Sequence, residues 1–178
     1  MQNKSNLRYL ILTAMFIAIG VILPQAFHLF GGTGPVFLPM HIPVLLCGFI
    51  VGWKYGLICG IITPLLSSLF TGMPVMFPIG IGMVFELATY GLLCGLLYKS
   101  LNKNVYVSLI GAMLGGRVIS GIVNAIVMGV ASKPYGLSIF LTNAFVKAIP
   151  GIIIQIVLIP LLIIALEKAG QLEKVNNK

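Results

Sequence analysis

The sequence predicts an all-α integral membrane bundle of six transmembrane helices with both termini cytoplasmic, and three observations predict it. Of 178 residues, 59% are hydrophobic and 8% are charged, against roughly a quarter charged in soluble domains. Long apolar runs recur along the chain, and at ~1.5 Å per helical residue a run of about 18 residues or more crosses a ~30 Å hydrocarbon core. Polar composition is confined to short tails at either end, so residues 1–178 read as a single transmembrane domain.

Helix 1 is read over 7–27. It follows a charged start like that of a signal peptide, but it runs on to Phe27 with no Ala-x-Ala cleavage site and so reads as a retained helix. Helix 2 is read over 37–51, helix 3 over 55–70, helix 4 over 79–98, helix 5 over 105–130 and helix 6 over 139–166. Turn formers separate them: Gly31 to Pro35, Gly52 to Lys54, Thr71 to Pro74, Ser100 to Asn104, and Ser132 to Gly136. Pro39 and Pro43 fall in the short helix 2, and Pro64, Pro150 and Pro160 interrupt helices 3 and 6. Each removes a backbone hydrogen bond, which lipid tolerates only where neighbours or water satisfy the freed carbonyl.

A net charge of +8 would suggest nucleic acid in a soluble protein, but here the basic residues flank apolar runs and report topology, so no nucleic-acid partner is expected. With the amino terminus cytoplasmic, Lys4, Arg8, Lys54, Lys99, Lys103, Lys168, Lys174 and Lys178 fall inside and Lys133 outside. The loops after helices 1, 3 and 5 then face outward. Cys47, Cys59 and Cys94 lie in apolar segments without a C-x-x-C pair, as buried thiols do, and no metal site is expected.

Glu86, Arg117 and Lys147 sit inside apolar runs, where an ionised side chain at the bilayer centre costs at least ~2.5 kcal/mol, so each must face protein or water. Counting inward from the outer helix ends places Glu86 and Lys147 roughly 10 to 12 Å deep and Arg117 near the middle. Asn124 lies seven residues from Arg117 and Asn143 four from Lys147, each pair on one helical face. Two readings follow. Glu86 pairs with Arg117 or Lys147 merely to fix helix packing, or these groups converge on an outward-facing cavity and touch a ligand. His28 and His41 flank the first outer loop, as lining residues before metal ligands. Phe77, Phe85, Tyr90 and Tyr135 are either ring-stacking groups or members of an interfacial belt.

Ala14-x-x-x-Ala18, Gly56-x-x-x-Gly60, Gly91-x-x-x-Gly95 and Gly111-x-x-x-Gly115 have the spacing of close helix packing. Enzymatic motifs fail: no histidine follows His41 to serve a serine protease at Ser120, and no H-E-x-x-H, paired-aspartate or phosphate-loop sequence occurs. The chain therefore reads as non-enzymatic, without a cofactor. Glu86 is the one acidic group within the read helices and no inverted repeat is visible. A binder that borrows energy from partner subunits fits, with an autonomous secondary carrier or channel for a small polar solute, and a structural membrane subunit, as the other readings.

The chain resembles the substrate-binding (S) component of a group II energy-coupling factor (ECF) vitamin transporter over essentially its whole length. The resemblance rests on size, six helices, Ala14-x-x-x-Ala18, the stretch from Phe37 to Pro43, the segment Gly48 through Pro64, and Phe85 to Gly91. It implies capture of a water-soluble vitamin or precursor at the outer side of a prokaryotic plasma membrane, in a cavity of helices 4 to 6 and the loops after helices 1, 3 and 5. It also implies docking through Ala14 and Ala18 on a transmembrane coupling subunit attached to two ATPases, and toppling within the bilayer to carry the substrate across. Met40 to Pro43 is similar to the metal-binding start of cobalt and nickel S components, but that chemistry uses a free terminal amine and here the sequence is internal. The substrate classes implied are hydroxymethylpyrimidine or pyridoxine, then pantothenate; Arg117 and Lys147 suit a carboxylate, Glu86 the donor edge of an aminopyrimidine.

Overall fold

The apolar runs fold as helices because lipid leaves their backbone groups no other partner. The structure, a computed structural model, describes residues 2–29, 34–170 and 172, with side chains described over 6–27, 36–170 and at 172. In chain order the helices are α1 (Gln2–Leu29), α2 (Gly34–Phe37), α3 (His41–Ile50), α4 (Trp53–Thr71), α5 (Ile81–Gly95), α6 (Val105–Val130), α7 (Leu137–Leu141) and α8 (Ile149–Lys168). Wider π-type turns over Met76–Gly80 and Leu96–Ser100 extend α5, and another over Thr142–Val146 continues α7. Within the first of them Phe77 is extended, at φ −111° and ψ 129°.

Five segments of the described residues are long and apolar enough to cross a membrane: Asn6–Phe27, Trp53–Thr71, Met76–Ser100, Val105–Val130 and Ile149–Lys168. The expected second span differs. α3 has 10 residues and reaches only about 15 Å, half the hydrocarbon core. Pro39 lies in the turn before it and Pro43 in its first turn, where no intrahelical donor is lost. Because His41, Val44, Leu45, Cys47 and Phe49 are all buried, α3 packs against protein and need not match the lipid thickness. The expected sixth helix also divides, with a short apolar segment over Leu137–Val146 and then α8, in which Pro150 stands at the start rather than in the interior.

α3 and α5 occupy the centre of the bundle. α5 packs on α3, α4 and α6; α1 covers α3 and α4; α8 closes on α2, α3 and α6. The closest crossing joins two of the small-residue motifs. A Cβ on Gly60 would collide with the Leu87 carbonyl, and Gly56 and Gly91 meet backbone to backbone, an approach only glycine permits. Ala14 and Ala18, by contrast, are exposed on α1, whose Leu10, Ile11, Met15 and Ile22 are also more than half exposed. Asn104 caps α6, its Oδ1 accepting from the Val107 N–H at 2.7 Å. Gly72 ends α4 with φ 71° in the left-handed region.

Chain direction sorts the loops between the two ends of the bundle. Lys54, Lys99, Lys103 and Lys168 lie at the end where α1 begins and α8 finishes, where Lys99 donates to the Ile50 carbonyl and the Tyr98 hydroxyl meets Glu167. Lys133 lies at the other end. The loop over 31–33, the side chains of His28 and Lys4, and Lys174 and Lys178 lie outside the described residues.

Candidate functional site

α5 and α6 bring two opposite charges into the bundle interior. Glu86 and Arg117 are each 7% exposed, and Arg117 Nη1 stands 3.0 Å from Glu86 Oε1. One turn along α5, the Tyr90 hydroxyl donates to the same carboxylate oxygen at 3.0 Å. His41, the first residue of α3, places Nε2 3.7 Å from it and meets the Tyr90 ring edge-on at 5.5 Å between centroids. Gly116 makes this possible: a Cβ there would collide with the Tyr90 ring, so only the bare backbone of α6 lets Tyr90 lie beneath Glu86.

Glu86, Arg117 and His41 line one side of a cavity of about 310 Å³, a volume at the lower end of small-molecule sites. From Arg117 the stripe on α6 continues through Ser120 to Asn124, whose Nδ2 donates to the Ser120 hydroxyl at 3.1 Å. α1 contributes Pro24 and Gln25, and α4 contributes Ser67. The rest of the wall comes from the connections, with Leu38 to Met40 before α3, Met73 and Pro74 after α4, Ile79 before α5 and Asn143 before α8, and from Met83 in the first turn of α5. All lie toward the end of the bundle opposite the basic turns. Leu38 holds a positive φ of 51°, a conformation that costs a non-glycine residue of order 1 kcal/mol, and its carbonyl accepts from the His41 N–H at 3.1 Å.

The polar atoms around the cavity are incompletely matched. Gln25 Nε2, Arg117 Nη2, Asn124 Oδ1 and both His41 ring nitrogens are buried with no hydrogen-bond partner among the described residues. Buried polar groups are paired in the great majority of cases, and here five atoms without partners belong to residues that line one cavity. Tyr135, in the loop after α6, comes beside Asn124; burial raises its phenol above the ordinary range, and the Asn124 amide acts in the opposite sense.

Of the residues singled out in the sequence, Glu86, Arg117, Asn124, Asn143 and His41 come together here. Lys147 does not. It is exposed and lines no part of the cavity, because the helix begins at Ile149 rather than Ile139. Lys147 therefore stands in the turn before α8 and outside the apolar span Ile149–Lys168. His28 falls outside the described side chains. Phe77 and Phe85 are about half exposed, Tyr90 is fully buried under Glu86, and none of the four aromatic candidates lines the cavity. Gln25, Ser67 and Ser120 escaped the sequence reading as site residues, although Ser120 lies on the very face defined by Arg117 and Asn124.

On the bundle's outer surface a second, wholly apolar groove runs between α1 and α4. Ala14, Ala18 and Val21 line it from one side and Ile62, Leu66 and Phe70 from the other, around about 490 Å³.

No curated protein and no solved structure matches the chain. The family model of the ECF transporter substrate-specific component matches residues 8–163, which takes in every described residue of the cavity and of the groove. Such components bind small-molecule substrates for transport and pair with an ECF module; they are not an enzyme class. The chain is a multi-pass membrane protein and belongs to the ECF transporter substrate-specific component family.

Proposed function

We propose that this chain is the S component of a group II, ATP-driven importer, and that it binds a small water-soluble vitamin or precursor in the cavity beside Glu86 and Arg117. The observation that carries the reading is the cavity itself, where residues carrying five buried polar atoms without partners line a space of about 310 Å³. Arg117, Glu86, His41, Asn124 and Asn143 are the proposed contacts, together with Gln25 and Ser120; Lys147 at the rim and His28 are assigned only to the approach. The substrate belongs to the hydroxymethylpyrimidine, pyridoxine or pantothenate classes that the family resemblance implies.

In this reading α3 is the sixth, shortened crossing, both termini are cytoplasmic in a prokaryotic plasma membrane, and the cavity faces outward. The gathering of Lys54, Lys99, Lys103 and Lys168 at one end, with Lys133 at the other, supports that orientation. Ala14 and Ala18 are the docking contacts for the transmembrane coupling subunit, which carries two ATPases. Their exposure in the groove supports this, since methyl groups alone separate the α1 backbone from whatever packs there.

Reconstituted vesicles test the assignment through Ala14→Trp. The variant should keep the wild-type affinity for substrate, because the cavity lies elsewhere, and should lose both complex formation with the coupling subunit and ATP-dependent uptake. Uptake by the isolated chain, without ATPases, would instead make it an autonomous secondary carrier.

A further inference from the structure

Charge balance selects the solute, granted the binding role proposed above. Among the lining residues only Glu86, Arg117 and His41 are acidic or basic, and the carboxylate and guanidinium already stand 3.0 Å apart. Lys147, the second cation expected near the site, does not line it. A ligand carboxylate therefore finds no cation among the described lining residues that is not already facing Glu86, and it would add a second anion beside that one. A ligand cation would add a second positive charge beside Arg117. With the His41 imidazole neutral, either leaves an uncompensated charge in a site whose ionic groups are nearly sealed from water, which is strongly disfavoured.

What the cavity does offer is neutral hydrogen bonding. Arg117 Nη2 and Gln25 Nε2 are donors without partners, and Asn124 Oδ1 is an acceptor without one, its amide nitrogen being held by Ser120. Met40, Met73 and Met83 line the same space, and methionine is a polarizable side chain that suits a flat ring. We infer that the cavity takes a small heterocycle of zero net charge, which accepts hydrogen bonds from Arg117 and Gln25 and donates one to Asn124. An amino- or carboxamide-bearing ring meets these terms and a carboxylate does not, which favours the aminopyrimidine and pyridinol classes over pantothenate.

The test begins with the full chain purified from membranes and held in nanodiscs. Small molecules released from it are run by capillary electrophoresis at pH 8, above the ordinary range of a histidine. The inference expects a compound that moves with a neutral marker. An anion or cation released instead overturns the charge assignment and leaves the binding role standing.

Three matched probes follow: pyridine-3-carboxamide, pyridine-3-carboxylate and the permanent cation 1-methylpyridinium-3-carboxamide. Wild-type protein should prefer the carboxamide. Glu86→Gln, which leaves Arg117 unbalanced, should move the carboxylate-to-carboxamide affinity ratio roughly thirtyfold toward the carboxylate. Arg117→Gln should move selectivity comparably toward the cation, so that one folded variant suffices. Ratios unchanged in folded variants overturn the inference. If no compound is released and no probe binds, the binding role falls with it.

Discussion

Arg117 and Glu86 hold each other in place of water, so removing either strands the other in a nearly dry site. Arg117→Ala should weaken substrate binding by about 2 kcal/mol or more, roughly thirtyfold, read by isothermal titration. The double variant Glu86→Gln/Arg117→Met removes both charges, and thermal unfolding should show it more stable than Arg117→Ala. Its affinity should stay low. Recovery of both stability and affinity would reduce the pair to a packing device. These two residues were legible in the sequence because an ionised group in an apolar run has few places to go, and Asn124 was legible through its seven-residue spacing from Arg117. Gln25 was not, since a neutral amide beside Pro24 carries a weaker penalty and resembles an ordinary interhelical hydrogen bonder. Lys147 was misplaced because its depth was counted along a helix assumed to run unbroken from Ile139.

At the scale of elements, small residues decide which helices meet. The Gly56 and Gly91 motifs meet each other at the α4–α5 crossing, while the Ala14 motif faces outward from α1. Spacing alone could not distinguish the two uses, because both require only small side chains at i and i+4. Gly116 serves the site by a third route, leaving room for the Tyr90 ring. Gly116→Ala should therefore destabilise the protein by ~1–3 kcal/mol through overpacking and also weaken ligand binding, since a displaced Tyr90 no longer donates to Glu86. Adding Tyr90→Leu should restore melting temperature without restoring affinity. The long spans were readable to within a few residues, and α6 runs over Val105–Val130 as expected. α3 and the α7–α8 break were not, because a buried short helix and a lipid-spanning one look alike in apolar composition. Only packing shows that α3 is buried in protein rather than set against lipid.

For the whole molecule, the two concave features divide the proposed work. A polar cavity lies inside one end of the bundle and an apolar groove lies on its flank, with α1 contributing Gln25 to the first and Ala14 and Ala18 to the second. The proposed binding and docking surfaces thus share a helix without sharing a residue. In the proposed function the space beside Glu86 and Arg117 holds the substrate. Ser120→Phe tests it most directly, because the added ring fills that space while both charges stay in place. Native mass spectrometry of wild-type and variant protein, purified identically, should show a small-molecule mass on the wild type and none on the variant, with both still forming the complex with the coupling subunit. A bound mass that persists undiminished on Ser120→Phe would place the substrate outside this cavity.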